Sequence, residues 1–303
     1  VSGYHILGDW GTSNLRLFRV ENDVITDRIN GPGIGALPAA PDVVFGTAIA
    51  PWLTTGRPDW VQLCGMAGAR DGWVEVPYAD CPADAAAWSS GSTKFVYNGI
   101  PVSITAGLTC TDADGVPDVM RGEETQIFGA LTLEPSLGSG QHILVLPGTH
   151  SKWVLIEDGR VVLFRTALSG ELFALLRDHS TLLRAVPTNA TDEPAGFESG
   201  LQRAGRERRL LTSLFATRAL QLRADRSPEW AAGYLSGLII GNEISEMSAI
   251  FPSSTSVQIV GERSLGKRYA QALFAFGIDS KIHDGDDYAQ AGLNLSGAMN
   301  HDH

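Results

Sequence analysis

A stretch of 25 residues near the start of the chain returns, without a gap, 137 positions later. Residues 4–28, YHILGDWGTSNLRLFRVENDVITDR, lie over residues 141–165, QHILVLPGTHSKWVLIEDGRVVLFR. Identities fall at His5/His142, Ile6/Ile143, Leu7/Leu144, Gly11/Gly148, Thr12/Thr149, Val24/Val161 and Arg28/Arg165. Leu17/Val154, Glu21/Asp158 and Ile25/Val162 are similar pairs. A repeat constrains architecture before any local motif does, because each copy is one supersecondary unit. Each copy reads as strand, Gly-Thr turn, strand, polar turn, strand, with Glu21-Asn22-Asp23 and Glu157-Asp158-Gly159 as the polar turns. The expectation is two related α/β halves, each opening on a three-stranded meander. The Pro/Ser/Gly-rich loop 135–140 marks the boundary, giving a first domain of residues 1–134 and a second of 135–303.

The remaining segments fit that plan. Val61–Cys64, Phe95–Tyr97 and Val102–Ile104 read as strands of the first half, and Arg121–Leu131 as the opening of a helix. In the second half Gly170–Leu176 opens a helix, and residues 196–222 and 228–250 read as long helical stretches. Ser256–Val260 is a strand ending at Gly261, 265–276 a helix, 281–283 a short strand and 286–298 a last helix, expected to pack back on the first domain. A chain of 303 residues with 44% apolar content can bury a sizeable core. Its formal net charge of -11 argues against nucleic-acid binding, which needs clustered Lys and Arg. Three widely spaced cysteines suggest neither a disulfide framework nor zinc, so a reducing cytoplasm is the expected setting. No apolar run is long enough to cross a bilayer, and no signal peptide is expected.

The two Gly-Thr turns carry the chemistry. A tight turn with Gly and hydroxyls offers backbone N–H groups and side-chain donors to an anion, and two of them can clasp a polyphosphate. The copies differ where a metal would require it: Asp9 precedes the first turn, whereas Leu146 and Pro147 precede the second. One carboxylate suits a Mg2+ ion that keeps most of its waters and shares substrate phosphates. Asp9 is therefore assigned to the metal, Gly11, Thr12 and Ser13 to phosphates, and Gly148 and Thr149 to phosphates from the other copy. Gly261-Glu262-Arg263-Ser264-Leu265-Gly266 lies between a strand and a helix, a context that suits a nucleotide, with Gly261 and Ser264 as contacts. Met120–Gln126 places Glu123 and Glu124 at a helix start, where one can act as a general base. The same pair also suits the helix macrodipole with no catalytic role. Arg16, Arg121, Lys152 and Arg165 are candidates for holding an anionic substrate.

These residues carry a resemblance. Asp9-x-Gly-Thr-Ser, a second Gly-Thr hairpin and a late strand-Gly-helix turn resemble the phosphate and adenosine motifs of the actin-like ATPase superfamily of sugar kinases, actin and heat-shock chaperones. More narrowly, Asp9–Arg16, Gly65–Gly68, Met120–Gln126, Pro147–Trp153 and Ser169–Leu172 are similar to the 2-dehydro-3-deoxygalactonokinase family. The resemblance implies two duplicated actin-like, ribonuclease H-like α/β domains around a central cleft. It implies ATP and Mg2+ as cofactors, and transfer of the γ-phosphoryl group to the 6-hydroxyl of 2-dehydro-3-deoxy-D-galactonate in galactonate or galactose catabolism. Within its motifs His150 falls to the nucleotide, and Asn14 and Glu171 to the sugar acid; since sugar kinases of the superfamily often use an Asp as base near this helix, Asp118 competes with Glu123 and Glu124 and ranks below them. A kinase for another sugar acid, a hydrolytic ATPase, a nucleotide switch and a non-catalytic sugar-acid sensor stay open, as does a homodimer.

Overall fold

The computed structural model describes residues 3–183, 192–207, 209–252 and 256–301. It divides into two compact units, one of Val1–Gln141, Ile156–Phe164 and Gly285–His303, the other of His142–Leu155 and Arg165–Asp284. In the first unit, the first copy of the repeat forms β1 (His5–Trp10), β2 (Asn14–Glu21) and β3 (Val24–Pro32), an antiparallel meander. Its polar turn uses Asn22 and Asp23, both at positive φ, a backbone that Asn and Asp tolerate better than most residues. There follow α1 (Pro41–Leu53), β4 (Val61–Gly65), β5 (Tyr78–Asp80), α2 (Ala85–Ser90), β6 (Thr93–Tyr97), β7 (Ile100–Ile104), β8 (Gly107–Thr111), β9 (Pro117–Met120) and α3 (Glu123–Leu133). The main sheet has the order β3-β2-β1-β4-β7-β6, with β1, β4 and β7 parallel. Strands β5, β8 and β9 form a separate small sheet.

The second copy forms β10 (Gln141–Leu146), β11 (Ser151–Glu157) and β12 (Arg160–Ala167). After it come α4 (Ser169–His179), α5 (Glu193–Arg206), α6 (Leu210–Leu214), α7 (Ala216–Arg223), α8 (Pro228–Ile250), β13 (Ser256–Gly261), α9 (Arg263–Ala275) and β14 (Asp279–Asp284). The sheet order is β12-β11-β10-β13-β14, with β10, β13 and β14 parallel. Helix α10 (Gly285–His301) then lies against α3, β1 and β4 within the first unit, with Leu293 in the cluster of Leu7, Phe18, Val20 and Cys64.

In each of the two larger sheets the meander joins the remaining strands through its first strand. That strand is followed by the Gly-Thr turn, and its parallel neighbour ends at the same edge. Trp10 thus lies beside Gly65, at the ends of β1 and β4. The turns after parallel strands gather at one edge, where open α/β sheets bind ligands.

Two helix pairs pack backbone against backbone. In the second unit, a Cβ on Gly196, Gly200, Gly233 or Gly237 would overlap carbonyl oxygens of Trp230, Tyr234, Glu193 and Phe197 respectively, so α5 and α8 touch along a glycine seam. In the first unit, Gly129 on α3 faces the Tyr288 carbonyl of α10, and Gly292 on α10 faces that of Thr125. Helix α8 is buried nearly all round, from Trp230 to Ser245, as an apolar helix without a polar face must be.

Two features differ from the sequence reading. Residues 196–222 do not form one helical stretch: the chain breaks at the charged run after Arg206, where Glu207 is extended, and again at Phe215 between α6 and α7. The small sheet and helices α1 and α2 are additions that the periodicity did not reveal. Cys64, Cys81 and Cys110 are free thiols, and among the described residues no helix is long and apolar enough to cross a membrane.

The helix seams predict a directional cost. Gly129→Ala places a methyl group into the α10 backbone, and overpacking of this kind costs about 1–3 kcal/mol. Thermal unfolding should shift clearly downward for Gly129→Ala and stay near wild type for Gly138→Ala, a position with open space around it. Equal midpoints for the two variants would show that the seam tolerates separation.

Candidate active site

In the first unit the Gly-Thr turn is laced to the segment after β3. The amide of Gly11 donates to Asn14 O (2.9 Å), and the amides of Gly33, Ile34 and Gly35 donate to the carbonyls of Ser13, Gly11 and Thr12. Trp10 Nε1 donates to Pro32 O at 3.1 Å, fixing the strand end beneath the turn. This leaves the side chains of Thr12, Ser13 and Asn14 exposed. Beside them a hollow of about 380 Å³ is lined by Asp9, Gly11, Ser13, Asn14, Arg16 and Asn30. Asp9 is not alone there. Its Oδ2 lies 2.5 Å from the Arg16 guanidinium, which reaches Asp286 Oδ1 at 2.5 Å with its other terminal nitrogen. Burial works against the charge on Arg16, but Asp9 and then Asp286 outweigh it and hold the guanidinium above its usual range. Cys64 lies behind, its Sγ donating to Asp9 Oδ1 at 3.8 Å.

The start of α3 separates its two carboxylates. Glu124 is fully buried and accepts from the amide of Gly122 at 2.6 Å, and its Oε1 has no partner among the described residues. Burial, and next the charge of Glu123, pushes its pKa up to about 8, so it is neutral at physiological pH. Glu123 is only partly buried. Asp118 lies on β9, its Oδ1 accepting from the amide of Val119 at 2.8 Å. Arg121 stacks over Tyr78 with its guanidinium carbon 4.3 Å from the ring centre, and donates to Val76 O at 2.7 Å. Its Nε and other terminal nitrogen are buried without a partner among the described residues.

In the second unit the matching turn presents Thr149 and His150 to solvent, and His150 Nε2 lies 2.6 Å from Glu171 Oε2. Gly148 packs against Gly170, where a Cβ would overlap its carbonyl, so the turn and the start of α4 form one piece. Lys152 is buried at 5% exposure and donates to Thr166 at 2.9 Å, which makes it part of the β11–β12 interior. Arg165 sits on β12 of the same unit. Gly261 turns the chain at positive φ, and Glu262 then caps α9, accepting from the amides of Ser264 and Leu265 and from the Ser264 hydroxyl. Ser264 therefore spends its hydroxyl on the cap. A second hollow, of about 330 Å³, lies among α4, α8 and α9, with Gly148, Phe173, Ile240, Leu265, Arg268 and Tyr269 on its walls. Only Gly148 among these was a candidate from sequence. Leu265 sits inside the Gly261–Gly266 turn and could have been added; Phe173 and Ile240 look like ordinary core residues of their helices.

Comparison with known proteins follows the same outline. A model of the 2-keto-3-deoxy-galactonokinase family matches residues 9–295. A Rhizobium meliloti protein, the probable 2-dehydro-3-deoxygalactonokinase DgoK1, is 36% identical over 97% of each chain. The Escherichia coli 2-dehydro-3-deoxygalactonokinase is 34% identical over 95% of this chain and 96% of its own. The crystal structure of a Sinorhizobium meliloti protein provisionally assigned as a 2-dehydro-3-deoxygalactonokinase superposes with a TM-score of 0.87 at 34% identity, covering 98% of this chain and 99% of its own. The activator of 2-hydroxyisocaproyl-CoA dehydratase from Clostridium difficile, with bound ADPNP, shares the fold at 10% identity and a TM-score of 0.51, over 96% of this chain and 93% of its own.

The burial of Glu124 predicts a pH dependence of stability. Its folded pKa of about 8 lies above the ordinary 4.5, so the native state holds a proton that the unfolded chain has released. Stability is then lost as pH rises from about 4.5 through 8, and no further above that. Glu124→Gln, which keeps the shape and the acceptor for Gly122, removes the titration. Denaturant midpoints of the variant should gain on wild type steadily between pH 5 and 8. Parallel curves for the two proteins would mean that Glu124 is ionised in the folded state.

Proposed function

The chain belongs to the 2-keto-3-deoxy-galactonokinase family, and from that premise we propose that it transfers the γ-phosphoryl group of ATP to the 6-hydroxyl of 2-dehydro-3-deoxy-D-galactonate, a step of galactonate catabolism. The observation that carries this reading is the family match over residues 9–295, which takes in both Gly-Thr turns and the capped turn before α9.

The residues fit a nucleotide-borne Mg2+ better than a metal site built by protein alone. Among the described residues no cluster of three or more His, Cys, Asp or Glu side chains could hold an ion. Asp9 is a single carboxylate, partly exposed beside a hollow and next to the exposed hydroxyls of a Gly-Thr turn. That donor set suits an ion that keeps its waters and brings phosphate oxygens with it. When bound, the ion would neutralise charge on the phosphates. Asp9 would hold it, Arg16 would keep Asp9 oriented, and Thr12 and Ser13 would donate to phosphate oxygens. In the second unit Thr149 and the Gly148 backbone would do the same. The apolar walls of the hollow beside them, Phe173, Ile240 and Leu265, suit the base of the nucleotide, with Gly261 allowing close approach.

In phosphoryl transfer, orienting the acceptor hydroxyl matters at least as much as removing its proton. Glu123 is the better candidate for that task. Glu124 is neutral and turned inward to Gly122, and Asp118 is held by its own strand. Arg121 has buried N–H groups that lack an acceptor among the described residues, which a substrate carboxylate would satisfy.

An ADP-release assay across a panel of 2-keto-3-deoxy sugar acids tests the reading. The galactonate-derived acid should give the highest kcat/KM, with dependence on Mg2+. A rate equal to that without any sugar acid would assign the chain to ATP hydrolysis instead. Asp9→Asn should lose at least about 10²-fold in kcat while remaining folded. Glu123→Gln should lose about 10²-fold, the scale of a positioned base. Normal turnover by Glu123→Gln together with loss in Asp118→Asn would move the role to Asp118.

A further inference from the structure

Glu243 is the one charged residue among the buried positions of α8. At 4% exposure it should be costly to keep, since an unpaired buried carboxylate is strongly disfavoured. The structure surrounds it with donors instead. Trp153 Nε1 on β11 donates to Oε1 at 2.7 Å, and the Tyr269 hydroxyl on α9 donates to Oε2 at 2.8 Å. The Ser169 hydroxyl also donates to it, and Ser151 lies close by. Ser151 in turn lies 2.7 Å from the Tyr269 hydroxyl, whose single proton is committed to Glu243, so Ser151 is the donor in that pair. The carboxylate therefore takes three donated protons, from Trp153, Tyr269 and Ser169, and Ser151 joins the network through Tyr269.

The donors come from the elements that build the second hollow. Ser151 opens β11, two residues after Thr149 of the Gly-Thr turn. Ser169 opens α4 beside Gly170, the residue packed on Gly148, and itself lines the hollow. Tyr269 is a wall residue from α9. One carboxylate on the central helix therefore ties the phosphate turn, the start of α4 and the α9 wall to one another.

We propose that Glu243 is a positioning residue for the nucleotide: it does not touch the ligand, but sets the spacing between the Gly148–Thr149 turn and the wall formed by α4 and α9. This rests on the reading of the second hollow as the nucleotide site. Burial holds the Glu243 carboxyl above its usual range, and the donors oppose that shift, which fits a group kept as a hydrogen-bond acceptor rather than for proton exchange. Gln at this position keeps the volume but replaces two acceptor positions by an NH2 group that the Tyr269 hydroxyl cannot donate to.

The test is Mg-ADP binding by titration calorimetry on the full chain, together with steady-state kinetics. Glu243→Gln should weaken Mg-ADP binding about tenfold and raise the KM for ATP by the same factor. The KM for the sugar acid and kcat at saturating ATP should stay within about twofold. Tyr269→Phe, which keeps the ring and removes the bridging hydroxyl, should reproduce the split, and Ser151→Ala should give a smaller effect in the same direction. Leu265→Trp, which fills the hollow, serves as the control. If it removes Mg-ADP binding while the three network variants bind within twofold of wild type, the inference is overturned and the nucleotide site stands. If Leu265→Trp leaves binding intact, the nucleotide site and the inference fall together. A lower unfolding temperature with unchanged Mg-ADP affinity would assign the network to stability alone and also overturn the proposal.

Discussion

The parallel pairing of β1 with β4, and of β10 with β13, decides where chemistry can occur in each unit. A meander alone would leave its Gly-Thr turn as an ordinary hairpin tip. Adding a parallel neighbour to its first strand brings a second strand end to the same edge, so Gly65 comes beside Trp10, and Gly261 comes near Pro147. Everything assigned to phosphate or nucleotide lies at or near such an edge. The glycine seams between α3 and α10 and between α5 and α8 support the arrangement from within each unit, because backbone contact fixes helix spacing more rigidly than long side chains would.

The electrostatics of the first unit are more economical than the net charge of -11 suggests. Asp9 is paired with Arg16, which is itself paired with Asp286 at the start of α10. Burial keeps Glu124 neutral, and burial, with the charge of Asp9 next, also raises the Cys64 thiol well above its usual range. The unit thus places a carboxylate paired with a guanidinium beside its hollow while a buried carboxyl stays uncharged. That division of roles comes from environment, not from residue type.

Much of the architecture was legible in the chain because it is local or repeated. The offset of 137 residues places β2 on β11 with matching first residues, Asn14 and Ser151, and the polar turns fall where Asn22-Asp23 and Asp158-Gly159 allow positive φ. Helix α8 was visible as a long apolar run. The small sheet of β5, β8 and β9 was not, because strands of three to five residues take their identity from a partner far away in sequence. The division of 196–222 was missed because apolar spacing continues through the charged run after Arg206. At the candidate site, the positions of Asp9, Thr12, Ser13 and Thr149 at the two turns follow from local motifs. Their partners could not: Asp286 is 270 residues from Arg16, and Glu243 is 90 from Trp153. Such pairs exist only after folding. Lys152 looked like an anion-binding residue because strand periodicity does not reveal which face an isolated lysine takes.

The central claim is that this fold delivers the γ-phosphoryl group to a sugar-acid hydroxyl and not to water. The most direct measurement follows that phosphorus by 31P NMR in a mixture of Mg-ATP, 2-dehydro-3-deoxy-D-galactonate and the protein. The account predicts one new phosphomonoester resonance, coupled to the C6 protons, growing in step with ADP and with no inorganic phosphate beyond the uncatalysed background. Inorganic phosphate growing in step with ADP, with no ester resonance, would contradict it.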